Sequence, residues 1–264
     1  MSQYQHLLDH LLPLGNMVGD YMRNEIDKVL HTQIEEKELN SLVSYVDKTS
    51  EEMIVEQLAK ILPEAGFITE EKTIQTEEKE IMWIIDPLDG TTNYLFGIPH
   101  YSTSIALKVN GEIVLGLVRD NAKAESFYAI KDKGAFLDGK KLQLNQALNL
   151  SDALFVTGFP YSNNYQPEAY LKIIQHWLKH SRGVRRLGSA ALDLSYVACG
   201  RISCYYEGFL NIWDIAAGAL IAKEAGAIVS DFEGGQGHLD TCKIVASNAA
   251  IYSEVIEVIN SHLS

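Results

Sequence analysis

Residues 83–93, WIIDPLDGTTN, hold the side chains of this sequence that are best suited to chemistry. An apolar, β-prone stretch ends on Asp86, and a proline separates that carboxylate from a second one, Asp89. Gly90 and Thr91 follow, which places backbone N–H groups and a hydroxyl beside both acids. Carboxylates bind hard cations, whereas N–H groups at the start of a helix bind phosphate. The run therefore predicts metal-assisted phosphate chemistry.

Three more acidic positions stand at the ends of apolar runs or at the start of a helix. Glu70, followed by Glu71, ends the run Phe-Ile-Thr, and Asp47 ends Leu-Val-Ser-Tyr-Val. Asp214 opens a helical pattern, where a carboxylate interacts favourably with the helix dipole. Taken singly, each acid has an ordinary explanation: a solvated pair, a helix cap or a dipole partner. Their joint occurrence with Asp86 and Asp89 favours one shared carboxylate site.

Composition excludes several classes of partner. The 264 residues carry a net charge of −13, and no stripe of lysine and arginine is present to displace the counterions of a nucleic acid. The N-terminal residues lack the basic region of a signal peptide, and the longest weakly polar stretch, 215–222, is too short to span a bilayer. Three cysteines without CxxC spacing indicate reduced thiols. We expect a soluble, cytoplasmic protein with no membrane or nucleic-acid partner.

The elements that must position these acids follow from hydrophobic periodicity. In the first part we expect a helix over 4–30 that Pro13 kinks or starts, and a helix over 49–62 capped by Thr49 and Glu52. Short strands follow, with Asn110-Gly111 as a hairpin turn; the predicted strands are 67–69, 81–85, 101–108, 113–119 and 126–131.

After about residue 150 the pattern alternates between strand and helix. The predicted strands are 153–157, 183–185, 202–206, 228–229 and 243–246, and the predicted helices are 167–180, 190–199, 212–225 and a C-terminal one. This order predicts an α+β lobe over 1–150 that carries most of the acids, followed by an α/β lobe over 151–264 that carries Asp214.

Two long motifs carry a resemblance to a known family. WIIDPLDGTTNYLFGIP and YYEGFLNIWDIAAGALIAKEAGA resemble the two signatures of the inositol monophosphatase family, and SLVSYVD and GFITEEK resemble its two upstream acidic motifs in the same order. RRLGSAALDLSYVACGR is similar to the stretch between the signatures in bacterial members, so the resemblance covers about residues 37–250. It implies a layered αβαβα sandwich of the inositol monophosphatase and fructose bisphosphatase type. It also implies a homodimer and Mg²⁺-dependent, lithium-sensitive hydrolysis of a small phosphate monoester.

The resemblance also implies a role for each matching residue. Two or three Mg²⁺ ions are expected, the first held by Glu70, Asp86 and the Leu88 carbonyl and the second by Asp86, Asp89 and Asp214, with Glu70 also touching a weaker third site. Glu71 lies outside this ligand set. Glu70, Asp47 and Thr91 are expected to be the catalytic residues. Of these, Asp47 and Thr91 are expected to orient the attacking water. Phosphate and the rest of the substrate are expected to contact Asp89, Gly90, Thr91, Ala190, Glu207 and Asp214.

Several readings of the reaction stay open at this stage. Clustered metal ions neutralise a phosphate dianion and activate water, and no GxSxG or Cys-His pattern indicates a covalent intermediate. We expect inositol 1-phosphate as the first substrate, with fructose 1,6-bisphosphate, histidinol phosphate and 3′-phosphoadenosine 5′-phosphate as alternatives. A catalytically silent regulatory binding protein of the same fold is the alternative from another class.

Two basic features have no settled role in this interpretation. Family members commonly carry a lysine shortly before the SYVD-type motif, and Lys37 is the candidate for it. Arg182, Arg185 and Arg186 form a cluster that we interpret as a solvated turn or a subunit contact rather than a second phosphate site. The pairs His6/His10 and His176/His180 lack a third zinc ligand and are interpreted as surface residues.

Overall fold

The computed structural model describes residues 4–29, 35–38, 41–144, 149–159 and 167–263. The prediction for Lys37 concerns a side chain outside this description. Within the described residues, none of the helices has the length and apolar character needed to cross a membrane.

The first part of the chain builds a seven-stranded sheet and the helices on it. Its elements are α1 (Gln5–Val29), β1 (Glu35–Glu38), β2 (Ser41–Val43), α2 (Tyr45–Ile61), β3 (Gly66–Thr69), β4 (Ile81–Asp89), α3 (Thr91–Leu95), β5 (Ser102–Val109), β6 (Glu112–Asp120), β7 (Glu125–Ile130), β8 (Gly134–Leu137) and β9 (Lys140–Lys141). The strand order is β3-β4-β5-β6-β7-β8-β9, in which β3 is parallel to β4 and the other pairs are antiparallel. Strands β1 and β2 pair antiparallel in a separate two-stranded sheet.

The second part builds a five-stranded sheet in the order β11-β10-β12-β14-β13. Its elements are a 3₁₀ turn (Leu150–Asp152), β10 (Leu154–Thr157), α4 (Pro167–His180), β11 (Gly183–Arg185), α5 (Ala190–Ala198), β12 (Cys204–Glu207), α6 (Ile212–Glu224), β13 (Ile228–Ser230), α7 (His238–Thr241), β14 (Ile244–Ser247) and α8 (Ala249–Leu263). β10 runs parallel to β11 and β12, whereas β14 runs antiparallel to β12 and β13.

Helices and sheets alternate in five layers. Helices α1 and α2 cover one face of the first sheet, where Leu11 and Trp83 share a fully buried core. Helices α5 and α6 lie between the sheets and contribute Ala217 to a core that contains residues of both. Helices α4 and α8 cover the outer face of the second sheet, where Phe155 stacks on Trp177 with ring centroids 4.2 Å apart. The predicted αβαβα sandwich is confirmed.

The division into lobes at residue 150 stays a prediction. The strands of the two sheets do fall on either side of that position. The core around α5 and α6, however, joins Ile84 and Val118 of the first sheet to Tyr205 of the second.

Local predictions succeed where turn or cap chemistry is unambiguous. Asn110 and Gly111 have φ of 50° and 85° and pair Val109 with Glu112, so the predicted hairpin is confirmed. Pro13 lies inside α1 and therefore does not start it. Strand β8 and helix α7 were not predicted.

The observed start of α2 differs from the predicted start. The helix begins at Tyr45 rather than at Thr49, because Ser44 accepts a hydrogen bond from the Val46 N–H at 3.1 Å and acts as the N-cap. Asp47 closes the capping box by accepting the Ser44 N–H at 2.8 Å. The predicted cap at Thr49 is wrong because a complete box stands earlier in the sequence, which places Thr49 inside the helix.

Candidate active site

The predicted site residues surround one cleft of about 230 Å³ between the two sheets. Most of them line it directly; these are Glu70, Asp89, Gly90, Thr91, Ala190, Glu207 and Asp214. Asp47, Asp86 and Leu88 are buried below the surface, with 0%, 2% and 1% of their area exposed. Strand β4 delivers the residues on one side, and β12, α5 and α6 deliver those on the other.

An irregularity in β4 brings Asp86 and Asp89 to one side of the sheet. Asp86 pairs with Ser104 and Asp89 with Ser102, so three steps along β4 match two steps along β5. Residues three apart in a regular strand point to opposite faces, but partners two apart on β5 point to the same face. Pro87 lies within this irregularity. Proline has no backbone N–H group to donate, and at an irregular position of the strand no regular hydrogen bond between β4 and its neighbour is lost.

Asp86 lies at the centre of the acidic cluster. Its Oδ1 accepts the Leu88 N–H at 2.9 Å. Burial raises its pKa well above the ordinary value, and the negative charges of Glu70, Asp89 and Asp214 raise it further. Glu70 reaches this position because its N–H donates to the Ile85 carbonyl at 3.2 Å and extends the pairing of β3 with β4. The four acids, distant in sequence, therefore share one electrostatic environment.

Asp47 and Thr91 form a direct side-chain contact. Thr91 Oγ1 lies 3.0 Å from Asp47 Oδ1 and 3.0 Å from the Leu88 carbonyl oxygen. The other carboxylate oxygen of Asp47 accepts from both the N–H and the hydroxyl of Ser44, at 2.8 and 2.6 Å. Burial raises the pKa of Asp47, and the bonds from Ser44 and Thr91 oppose that rise. The helix cap thus holds a carboxylate against the hydroxyl.

Asp89 is held by the N-terminus of α5. Its Oδ2 accepts the Ser189 hydroxyl at 2.6 Å and the Ala191 N–H at 2.8 Å. Burial raises the pKa of Asp89, and these two bonds lower it. Ser189 is a site residue that the sequence interpretation missed, although a serine before the helical run Ala190–Ala198 is an N-cap signal.

Asp214 and Glu207 complete the opposite wall of the cleft. Asp214 Oδ2 accepts the Asn211 N–H at 2.6 Å in the capping box of α6, and burial followed by the charge of Asp89 raises its pKa to about 8. Glu207 Oε2 accepts the Tyr205 hydroxyl at 2.8 Å, and burial raises its pKa to about 8.

Two glycines make room at the cleft. A Cβ at Gly158 would lie 1.9 Å from Glu207 Oε1, so the glycine is required for the present position of that carboxylate. Gly90 has φ of +95°, and a Cβ there would lie 3.1 Å from the carbonyls of Gly188 and His100. The chain turns from β4 into α3 at this left-handed position, which places Thr91 beside the acids.

The donor set consists of hard oxygen atoms. Carboxylates and a backbone carbonyl are the ligand types that Mg²⁺ takes in proteins. In the described part of the chain, Arg186 is the single basic residue that lines the cleft, so the cluster carries excess negative charge that a cation would neutralise. Among the described residues, no group of three or more His, Cys, Asp or Glu side chains is positioned to hold a metal ion. Mg²⁺ usually keeps several waters and takes only one or two carboxylates, so the oxygen donors of the cleft are compatible with it.

The arginine cluster is divided by the structure. Arg182 forms an exposed ion pair with Asp152 at 2.6 Å. Arg186 lines the cleft, and its positive charge lowers the pKa of Glu207 against the larger effect of burial. Arg186 is exposed, as expected for a solvated turn, and it also lines the cleft, whereas the subunit contact stays a prediction.

The model of the inositol monophosphatase family matches residues 3–264. This chain belongs to the inositol monophosphatase family. An inositol-1-monophosphatase from Mesorhizobium japonicum is 37% identical over 259 residues, which cover 98% of this chain and 97% of that protein. A protein named Nus factor SuhB from Pasteurella multocida is 39% identical over 253 residues, covering 95% and 92%. The solved structure of an IMPase from Thermotoga maritima superposes with a TM-score of 0.89 at 33% identity and covers 98% of each chain.

Membership in the inositol monophosphatase family confirms the resemblance seen in the motifs. The family is one of metal-dependent phosphatases that act on small phosphates. Its relatives nevertheless carry two kinds of name, inositol-1-monophosphatase and Nus factor SuhB. The family therefore leaves the substrate open.

Proposed function

We propose that this protein is a Mg²⁺-dependent phosphomonoesterase that hydrolyses a small polyol or sugar phosphate, with inositol 1-phosphate as the first substrate. The observation that carries the proposal is the contact between Thr91 Oγ1 and Asp47 Oδ1 at the edge of a buried carboxylate cluster. A hydroxyl held by a buried carboxylate orients water, and the cluster beside it has the charge and donor type for cations.

Each acid has a defined task in this mechanism. Glu70, Asp86 and the Leu88 carbonyl would hold one Mg²⁺, and Asp86, Asp89 and Asp214 a second, with Glu70 also touching a weaker third ion. When bound, these ions neutralise the phosphate and lower the pKa of water.

Asp47 and Thr91 orient the nucleophile. When Thr91 donates its proton to Asp47 Oδ1, the lone pairs of Thr91 Oγ1 accept a hydrogen bond from the attacking water. The water is then turned with an oxygen lone pair towards phosphorus. No side chain needs to form a covalent bond, because the water attacks directly.

The remaining cleft residues bind the substrate. The N–H groups of Gly90 and Thr91 face the phosphate, while Ala190, Asp89 and Glu207 contact the hydroxyl-bearing alcohol. The raised pKa of Glu207 keeps its carboxyl protonated near neutral pH, so it donates as well as accepts hydrogen bonds. This suits a substrate with several hydroxyl groups.

The test is a phosphate-release assay with Mg²⁺ on inositol 1-phosphate, fructose 1,6-bisphosphate, histidinol phosphate and 3′-phosphoadenosine 5′-phosphate. We expect the highest kcat/KM on inositol 1-phosphate and complete loss with EDTA. We also expect inhibition by Li⁺, since a staphylococcal inositol monophosphatase-1 of 25% identity has been crystallised as a lithium-soaked inhibitory complex. No release from any of the four substrates would overturn the proposal.

A second candidate function comes from the relatives named Nus factor SuhB, one of which is 39% identical. In that case the fold would serve a regulatory role without turnover. The complete set of Asp47, Glu70, Asp86, Asp89 and Asp214 favours catalysis, because a binding role does not require all five acids.

We also expect a homodimer and a cytoplasmic location. Analytical sedimentation of the purified protein measures its oligomeric state.

A further inference from the structure

Phe209 has an unusual backbone conformation at the mouth of the cleft. It stands between β12 and α6 with φ of +64°, in the left-handed region that bulky side chains rarely adopt. Glycine, asparagine or aspartate is the ordinary residue for such a position. A phenylalanine here is strained, and strain of this kind clusters at functional sites.

The ring of Phe209 is not explained by packing within the protein. Its exposed fraction is 43%, and it belongs to none of the buried clusters of the described residues. It does line the cleft, beside Leu210 and Asn211. The exposed part of the ring is therefore available for a contact with a molecule bound in the cleft.

Phe159 follows the strand that neighbours β12. Thr157 of β10 pairs with Tyr206 of β12, and Phe159 and Phe209 come two and three residues after these paired positions. Phe159 also lines the cleft, and 39% of it is exposed. The two rings form the phenylalanine pair, an apolar element on the rim of a cleft whose floor is acidic.

Glu207 stands two residues before Phe209 and lines the same cleft. An alcohol group bound beside these residues would contact the carboxyl group of Glu207, which can hydrogen-bond a hydroxyl, and the apolar ring of Phe209. A cyclic polyol or an aryl alcohol presents a flat face of C–H groups or π electrons to such a ring, whereas a short acyclic alcohol has no such face.

We propose that the phenylalanine pair makes the enzyme selective for phosphate esters of ring-bearing alcohols over acyclic ones, with Phe209 as the main specificity-determining residue. This inference rests on the phosphatase function proposed above. The ring face of the alcohol covers the exposed phenyl groups while Glu207 engages a hydroxyl at its edge. In this proposal the rings contact the alcohol and not the reacting phosphate, so the selectivity arises from substrate binding.

Two substitutions of Phe209 distinguish the effect of losing the ring from the effect of relieving the backbone strain. Phe209→Ala and Phe209→Gly both remove the ring, but glycine also relieves the left-handed conformation and alanine does not. We expect Phe209→Gly to raise Tm and Phe209→Ala to leave it near the wild-type value. Leu178→Ala on α4, an exposed apolar residue outside the cleft, is the control.

Kinetics on inositol 1-phosphate and glycerol 2-phosphate measure the selectivity. For both Phe209 variants we expect kcat/KM on inositol 1-phosphate to fall about tenfold, chiefly through KM, and kcat/KM on glycerol 2-phosphate to change less than about twofold. Phe159→Ala should show the same direction with a smaller change, and Leu178→Ala should match the wild type. An unchanged ratio of the two substrates in both Phe209 variants overturns the inference.

Binding distinguishes this inference from the function on which it rests. If the wild type releases no phosphate, the phosphatase proposal fails, and the phenylalanine pair is judged by thermal shift with inositol 1-phosphate and Mg²⁺. A Tm rise in the wild type that Phe209→Ala loses supports the pair. An equal rise in both proteins, or none in the wild type, overturns it.

Discussion

The hydroxyl of Thr91 lies 3.0 Å from Oδ1 of Asp47, a residue 44 positions earlier in the chain, while the other oxygen of that carboxylate caps α2. One side chain thus joins a helix start to the end of strand β4. Because the cap and the contact with Thr91 use different oxygens, substitutions distinguish the two roles.

Asp47→Asn is expected to lower kcat at least about a hundredfold, because the amide no longer accepts the Thr91 proton as a charged group does. Ser44→Ala is the matched control. It removes a cap and should cost about 1 kcal/mol of stability while kcat stays within a few-fold of the wild type. Steady-state kinetics and thermal unfolding of both variants provide the measurement. Equal losses of kcat in the two variants would show that Asp47 acts through the helix alone.

Asp89→Asn is expected to lower kcat at least about a hundredfold, through the loss of a ligand of the second Mg²⁺. Ser189→Ala leaves the carboxylate in place and removes its hydroxyl partner at 2.6 Å, so we expect a smaller loss of about three- to tenfold. Mg²⁺ titrations of phosphate release should show a raised activation constant in both variants. Near-normal turnover of Asp89→Asn contradicts the proposed ligand.

Gly158→Ala tests the position of Glu207. The new Cβ would lie 1.9 Å from Glu207 Oε1, the flexible end of a long side chain, so the carboxylate must move away. We expect KM for inositol 1-phosphate to rise about tenfold and kcat to change little, because a ground-state contact is lost. The Tm should change by less than about 3 °C, since a side chain rather than backbone gives way. A large Tm fall without a KM effect would contradict this account.

The protonation of Glu207 predicts a pH dependence of stability. Its folded-state pKa is about 8, raised mainly by burial, whereas an unfolded glutamate titrates near about 4.3. Between these values the folded protein binds a proton that the unfolded chain has lost, so this group makes the fold less stable as pH rises. Above about pH 8 the loss is complete.

Glu207→Gln removes that titration. Relative to the wild type, its Tm should be unchanged near pH 4.5 and higher by at least about 4 °C at pH 9. Glu254→Gln, at an exposed position on α8, is the matched control for the change from carboxyl to amide. Differential scanning calorimetry without Mg²⁺ across this range is the measurement, and parallel curves for Glu207→Gln and the wild type would contradict the raised pKa.

Local chemistry made much of the fold predictable. The turn at Asn110-Gly111, the helix Pro167–His180 and the strand Gly183–Arg185 follow from signals carried by a few adjacent residues. The start of α2 was mispredicted because two cap-like patterns compete within a few residues, and Ser44 with Asp47 forms the complete box. Strand β8 was missed because its sequence, Gly-Ala-Phe-Leu, contains no alternation of apolar and polar residues.

The sequence by itself determined the chemical nature of the site, since the type, order and spacing of Asp86, Asp89 and Thr91 already indicated cations and phosphate. The tertiary structure decided which distant groups hold them. The irregularity at Pro87 turns both aspartates to one side, and the Ala191 N–H, 102 positions from Asp89, bonds its carboxylate. It likewise turned Arg186 into the cleft and left Phe209 strained on its rim. Periodicity reports which face of an element is buried, but contacts between elements depend on how the layers pack.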